Sequence, residues 1–246
     1  MTDNKLMKYI GFLFVAVIIG FLFISIGELI KITGINELET ILKVFIIIAI
    51  CIYAIHSKEL KTIFNINFSP VYLTVIIPPL IFSYLIQVCP LDFEPYQSFI
   101  LSTVISTVTT AIWEELYFRY MGCSLFREDN GKFKWYNIVF LALTFSAMHL
   151  VNITSGLSIS LINQLVFTVG LGFLLLGLYI HTKSIIAPII AHFCINTVAD
   201  YFNLFATEQA RASAYFGEYE YILLILDVVV MIIIGIYLLK KYDHVC

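Results

Sequence analysis

The run Ser98-Phe-Ile-Leu-Ser-Thr-Val-Ile-Ser-Thr-Val-Thr-Thr-Ala-Ile-Trp-Glu114-Glu115-Leu-Tyr-Phe-Arg119-Tyr-Met-Gly-Cys-Ser-Leu-Phe126 contains no proline and only three charged residues, packed within six positions. As a helix rising 1.5 Å per residue it would reach about 43 Å, against a bilayer hydrocarbon core of about 30 Å. Such a segment must be tilted, broken, or extended beyond the membrane. Its charged groups sit well inside it, where each is expensive and so needs a reason to be there.

The rest of the chain reads the same way. Of 246 residues, 61% are hydrophobic and 13% charged, with mean hydropathy +0.96, a composition that cannot cover a water-soluble domain. The expected fold is all-α, a polytopic membrane helical bundle, with residues 1–246 forming a single integral membrane domain. Net charge is -3 and no basic block is present, so no nucleic-acid partner is expected. Cys51, Cys89, Cys123, Cys194 and Cys246 fall mostly in apolar runs without ligand or framework spacing and read as packing residues.

The apolar runs number eight, near Ile10–Ile26, Ile41–Ile55, Val71–Val88, Ser98–Phe126, Tyr136–Ile153, Leu157–Ile180, Ser184–Phe205 and Tyr221–Leu239. The first follows Lys5 and Lys8 but is too long for a signal peptide and lacks a small-residue cleavage site, so it reads as a retained span. Eight spans predict that basic residues collect on alternate sides. Lys5, Lys8, Lys58, Lys61, Arg127, Lys132, Lys134, Lys183, Lys240 and Lys241 fall on one side, and Lys31, Lys43 and Arg211 on the other. Both termini are therefore expected in the cytoplasm. Pro78-Pro79 should kink the third span, and Pro188 should kink or start the seventh.

Within Glu114-Glu115-Leu-Tyr-Phe-Arg119, Glu115 and Arg119 stack at i,i+4 in the favourable order for an ion pair. Adjacent residues diverge by about 100° on a helix, which leaves Glu114 on another face without a cation. A desolvated carboxylate lacking a cation is a stronger base than one in water, the property a general base needs. His149, His192 and Asn196 occupy two later spans. Glu114 lies about 18 Å before Phe126, His149 about 20 Å after Tyr136, and Asn196 about 18 Å after Ser184, with His192 one turn shallower on the same face. Four polar side chains from three helices thus converge at one depth, in the cytoplasmic half by this count. A carboxylate and an imidazole can deprotonate water, while a second imidazole and a carboxamide can donate to an oxyanion. Glu114, His149 and His192 could instead hold a zinc ion, although no His-Glu-x-x-His helix is present. Asp200, two turns beyond His192 on roughly the same face, reads equally as a supporting partner of the site or as a helix-end residue; Asp227, Asn163 and Gln164 read as structural, and Trp113 and Tyr117 as candidates to line a groove.

Glu-Glu-x-x-x-Arg, Phe-x-x-x-His and His-x-x-x-Asn, each in its own membrane helix and in this order, resemble the CPBP family of intramembrane proteases. That family includes the type II CAAX prenyl endopeptidases and the Abi proteins of bacteriocin processing and self-immunity. The resemblance covers a catalytic core of about residues 98–200. It implies that Glu114 and His149 activate water, that His192 and Asn196 form the oxyanion site, and that Glu115 and Arg119 support them. It also implies either a glutamate-activated or a metal-dependent endopeptidase acting on a membrane-associated peptide or protein. A proton-coupled transporter built on the same intramembrane Glu, His and Asp, and a non-catalytic immunity or scaffold protein, are the competing readings. A bias toward Ile, Phe, Tyr, Asn and Lys suggests an AT-rich bacterium, where a pheromone, a bacteriocin precursor or a membrane-protein tail is the expected substrate.

Overall fold

The computed structural model describes residues 3–35, 37–57, 65, 69–81, 97–155, 158–205 and 219–240. Among these there is no β-strand. The long helices are α1 (Asp3–Thr33), α2 (Glu37–His56), α3 (Gln97–Glu115), α5 (Trp135–Met148), α6 (Ile159–Thr182), α7 (Ile186–Phe205) and α8 (Tyr219–Lys240). A π-helical turn over Leu116–Met121 joins α3 to the short α4 (Gly122–Phe126). Leu6–Thr33, Glu37–His56, Trp135–Ile153, Ile159–Thr182 and Tyr221–Lys240 are long and apolar enough to cross a membrane, and Pro70–Ile81 and Ile186–Val198 are shorter apolar helices. The outward faces are apolar, with Phe14, Phe21, Phe45, Ile52 and Ile233 among the exposed residues, as a lipid-facing surface requires and a water-facing one does not.

The long fourth run does not break. It continues as helix from Gln97 to Phe126, with the π turn taking up a change of phase in its middle. Pro78-Pro79 falls just past a change of helix type. The segment is 3₁₀ from Pro70 to Ile76 and α-helical from 77 to 81, so both prolines fall in the first α turn, where a missing donor costs least. Pro188 likewise sits in the first turn of α7 and marks its start. The remainder of the third run, the loop holding Asp92 and Glu94, Lys58, Lys61, Arg211, Lys241, Cys89 and Cys246 lie outside the described residues.

Side-chain contacts establish helix direction. Lys43 bonds Ser106 Oγ at 3.0 Å and Ser57 bonds Tyr120 at 3.2 Å, so α2 and α3 run parallel. The chain therefore returns from one face of the bundle to the other between Ser57 and Gln97. α1 runs antiparallel to α3, because Phe23 meets Trp113, Phe12 stacks on Tyr117, and Lys8 donates to the Leu125 carbonyl. The Tyr9 hydroxyl bonds Asn137, and Asn137 Nδ2 donates to the Phe126 carbonyl at 2.9 Å. Those bonds fasten the start of α5 beside the end of α4. Ser146 donates to the Leu165 carbonyl across the antiparallel α5–α6 pair. The ends at Lys8, Ser57, Phe126, Trp135, Thr182 and Lys240 thus share one face of the bundle.

α6 and α8 run parallel and touch backbone to backbone. A Cβ on Gly177 would stand 2.6 Å from the Gly235 carbonyl, and one on Gly235 would stand 2.5 Å from that of Phe173. Between apolar helices in lipid, close van der Waals approach replaces the hydrophobic driving force, and small residues permit it. Gly235→Ala must separate the two backbones and should destabilise the bundle by about 1–3 kcal/mol. Gly27→Ala, with nothing within 4 Å of its Cβ position, should not. Thermal unfolding of both variants in detergent measures the difference.

Candidate active site

The paired glutamates sit where α3 gives way to the π turn. π-Turns are rare, and recur at functional sites. Glu115 is fully buried and is shared by His192 and Arg119. Its Oε1 accepts from His192 Nδ1 at 2.7 Å, and its Oε2 lies 3.0 Å from Arg119 Nε. The Arg119 contact is at ion-pair distance but off the hydrogen-bond direction, so it is mainly Coulombic. Neither Nη1 nor Nη2 of Arg119 finds a hydrogen-bond partner among the described residues. The guanidinium instead lies 4.2 Å from the centre of the Phe145 ring, a cation–π contact that gains strength away from water.

Phe145 does more than face Arg119. It meets the His149 ring edge-on at 5.4 Å and the His192 ring edge-on at 5.8 Å. One buried aromatic therefore packs against the arginine and both histidines. The i,i+4 spacing of Phe145 and His149 was visible in the sequence, but the contacts with Arg119 and His192 were not. His149 caps α5, and its Nδ1 lies 3.1 Å from the Phe145 carbonyl. With Nδ1–H donating to that carbonyl, the neutral ring keeps a lone pair on Nε2.

Glu114 takes a different position from its neighbour. It is largely buried, its Oε2 accepts no hydrogen bond, and that oxygen stands 3.8 Å from His192 Nε2. The spacing argument kept Glu114 and Glu115 on separate faces, yet His192 reaches both because it presents its two ring nitrogens in different directions. His192 is accordingly tied to the carboxylate pair as well as placed one turn from Asn196. The Glu115–His192 contact spans 77 positions, a separation at which spacing carries no signal.

Glu114, His149, His192 and Asn196 line one cavity of about 610 Å³. Trp113 also lines it, whereas Tyr117 turns away and donates its hydroxyl to the Phe12 carbonyl at 2.6 Å. Gln164 belongs to the cavity wall too, where its Oε1 accepts from Asn152 at 2.9 Å. Asn163 lines no part of it, Asp227 is buried on α8, and the Asp200 side chain lies outside the described residues. An apolar cleft between α1 and α5 shares Ile24, Met148 and Val151 with the cavity, which joins it to the lipid-facing side. No three His, Cys, Asp or Glu side chains among the described residues converge closely enough to make a metal site. Glu114, His149 and His192 thus share a cavity without forming one coordination sphere.

The cavity thus brings a carboxylate, two imidazoles and a carboxamide together within a helical membrane bundle, groups that can serve hydrolysis. Comparison with protein families is consistent with that chemistry: residues 96–198 match the type II CAAX prenyl endopeptidase, Rce1-like family. The match contains all three motifs and bears out the resemblance read from them. It names a family of proteases, and says nothing of bacteriocin processing or immunity. No curated protein and no solved structure matches the chain.

The two glutamates should respond differently to the same change. Glu114→Gln removes a carboxylate whose contact with His192 is long, 3.8 Å, and the variant should fold and insert normally. Glu115→Gln strips the charge from between Arg119 and His192, and leaving a buried cation uncompensated costs roughly 3–5 kcal/mol. Thermal stability in detergent should therefore fall for Glu115→Gln and hold for Glu114→Gln. The opposite order would reverse these roles.

Proposed function

We propose that the protein is an intramembrane endopeptidase that hydrolyses a peptide bond in a membrane-associated peptide or protein. The observation that carries this reading is the exposure of Glu114, His149, His192 and Asn196 in one cavity, with Glu115 and Arg119 packed behind them. A water about 2.8 Å from both Glu114 Oε2 and His192 Nε2 fits their 3.8 Å separation as the apex of a triangle. Glu114, assisted by His149, takes a proton from that water as its oxygen attacks the carbonyl carbon. Asn196 Nδ2 and His192, when protonated at Nε2, donate to the oxyanion that forms. Glu114 then returns the proton to the departing amine, so no net charge accumulates.

Glu115 and Arg119 act one step removed. A ligand or catalytic ring is held to one orientation by the partner of its other nitrogen, and Glu115 is that partner for His192. Phe145 fixes the planes of Arg119 and both imidazoles. The chemistry is laid out over the expected catalytic core, about residues 98–200. The family match favours a protease over a proton-coupled carrier.

Comparative peptidomics of cells carrying the wild type or Glu114→Gln identifies the product, which should vanish in the variant. With that peptide in hand, Asn196→Ala should bind it nearly normally and lose about 10²- to 10³-fold in kcat, the usual effect of deleting one oxyanion donor. Unchanged cleavage by Asn196→Ala removes the oxyanion role. Absence of any Glu114-dependent product removes the protease reading, in favour of a carrier if flux is detected or of a binding protein if it is not.

A further inference from the structure

Among the described residues, those lining the cavity beyond the site gather toward one face of the bundle. Its rim comes from the last turns of α1 (Glu28, Lys31), the first turns of α2 (Glu39, Lys43) and the α3 face carrying Ser106 and Thr110. No residue between Met121 and Phe140, and none between Thr168 and Ile190, lines it. The side-chain contacts across α1, α2 and α3 place this rim opposite the face where Lys8, Ser57, Leu125 and Asn137 meet. From Ser106 to Glu114 the helix climbs about 12 Å, so the cavity descends from the rim into the membrane before it reaches the carboxylate.

That geometry acquires a direction from the distribution of charge. Among the described residues, Lys5, Lys8, Arg127, Lys132, Lys134, Lys183 and Lys240 lie on segments opposite the rim, and an excess of basic residues marks the cytoplasmic side of a membrane protein. The rim holds two lysines, each matched by a glutamate: Lys31 with Glu28 at 2.7 Å, and Lys43 with Glu39 at 2.6 Å. Its local charge is thus balanced, unlike that of the opposite face.

We propose that the site is entered from the outer, non-cytoplasmic face, and that its substrate is a polypeptide segment presented there, such as an exported peptide or the outer tail of a membrane protein. This rests on the reading of the cavity as the catalytic site. A lipid-modified tail made in the cytoplasm arrives at the basic face, where no described residue lines the cavity. The apolar cleft sharing Ile24, Met148 and Val151 with the cavity gives an outer-leaflet segment a sideways approach to the same rim.

Single cysteines in a background with all five native cysteines replaced test this without any turnover. Glu28→Cys on the rim, Thr110→Cys in the wall and Lys132→Cys in the basic loop are exposed to a charged, membrane-impermeant thiol reagent in right-side-out and in inverted membrane vesicles. Glu28→Cys and Thr110→Cys should react in right-side-out vesicles, and Lys132→Cys only in inverted ones. Reaction of Thr110→Cys only in inverted vesicles, or from the same side as Lys132→Cys, overturns the proposal. So does a Thr110→Cys that stays unreactive from both sides while Glu28→Cys reacts, since the cavity would then be closed to the rim. Because labelling needs no substrate, a catalytically silent protein still answers the question, and a failed labelling result leaves the protease reading standing.

Discussion

Glu115 is the buried charge on which the site is built. An isolated carboxylate in a bilayer interior would be too costly to keep. Here Arg119 lies on one oxygen and His192 on the other, so the π turn after α3 and the start of α7 are tied through a single side chain. The ion pair alone would be weak evidence of stability, because two buried charges lose about as much in desolvation as they recover. Its consequence is positional. With His192 held at Nδ1, its other nitrogen is left facing Glu114 across a 3.8 Å gap.

Phe145 complements that arrangement without any charge. A guanidinium whose outer nitrogens find no hydrogen-bond partner among the described residues needs another source of stabilisation, and the aromatic face supplies one. The same ring abuts both histidines. The polar side chains are therefore spaced by a rigid apolar wedge, which keeps them from collapsing onto one another and preserves the cavity they line. The carboxylate that is structurally bound and the carboxylate that is free to react are adjacent in sequence, and what separates their roles is which partners each can reach.

Charge and cavity together give the site a direction. In a soluble enzyme, the mouth of a cavity says little about where its substrate is made. In a membrane it divides substrates by compartment, because a polypeptide cannot cross the hydrocarbon to reach the other side unaided. On the proposed orientation, a rim opposite the basic loops would select outer-face polypeptides before any side-chain recognition takes place.

Much was legible in the sequence, for reasons rooted in the bilayer. Lipid forces backbone hydrogen bonds to close locally, so apolar length alone marks the helices. The expense of intramembrane charge made Glu114, Glu115, Arg119, His149 and His192 stand out among apolar neighbours. The i,i+4 spacing of Glu115 with Arg119 and of His192 with Asn196 follows from helix geometry within one segment. Only tertiary packing decided that Glu115 also takes His192, that Phe145 stands among three polar partners, and that the cavity opens away from the basic face rather than toward it. Those facts depend on the contacts of helices far apart in the chain, and on a π turn that changes the phase of α3 at the paired glutamates. Helical periodicity specifies faces within one segment, but which faces meet is fixed by the packing of the whole bundle.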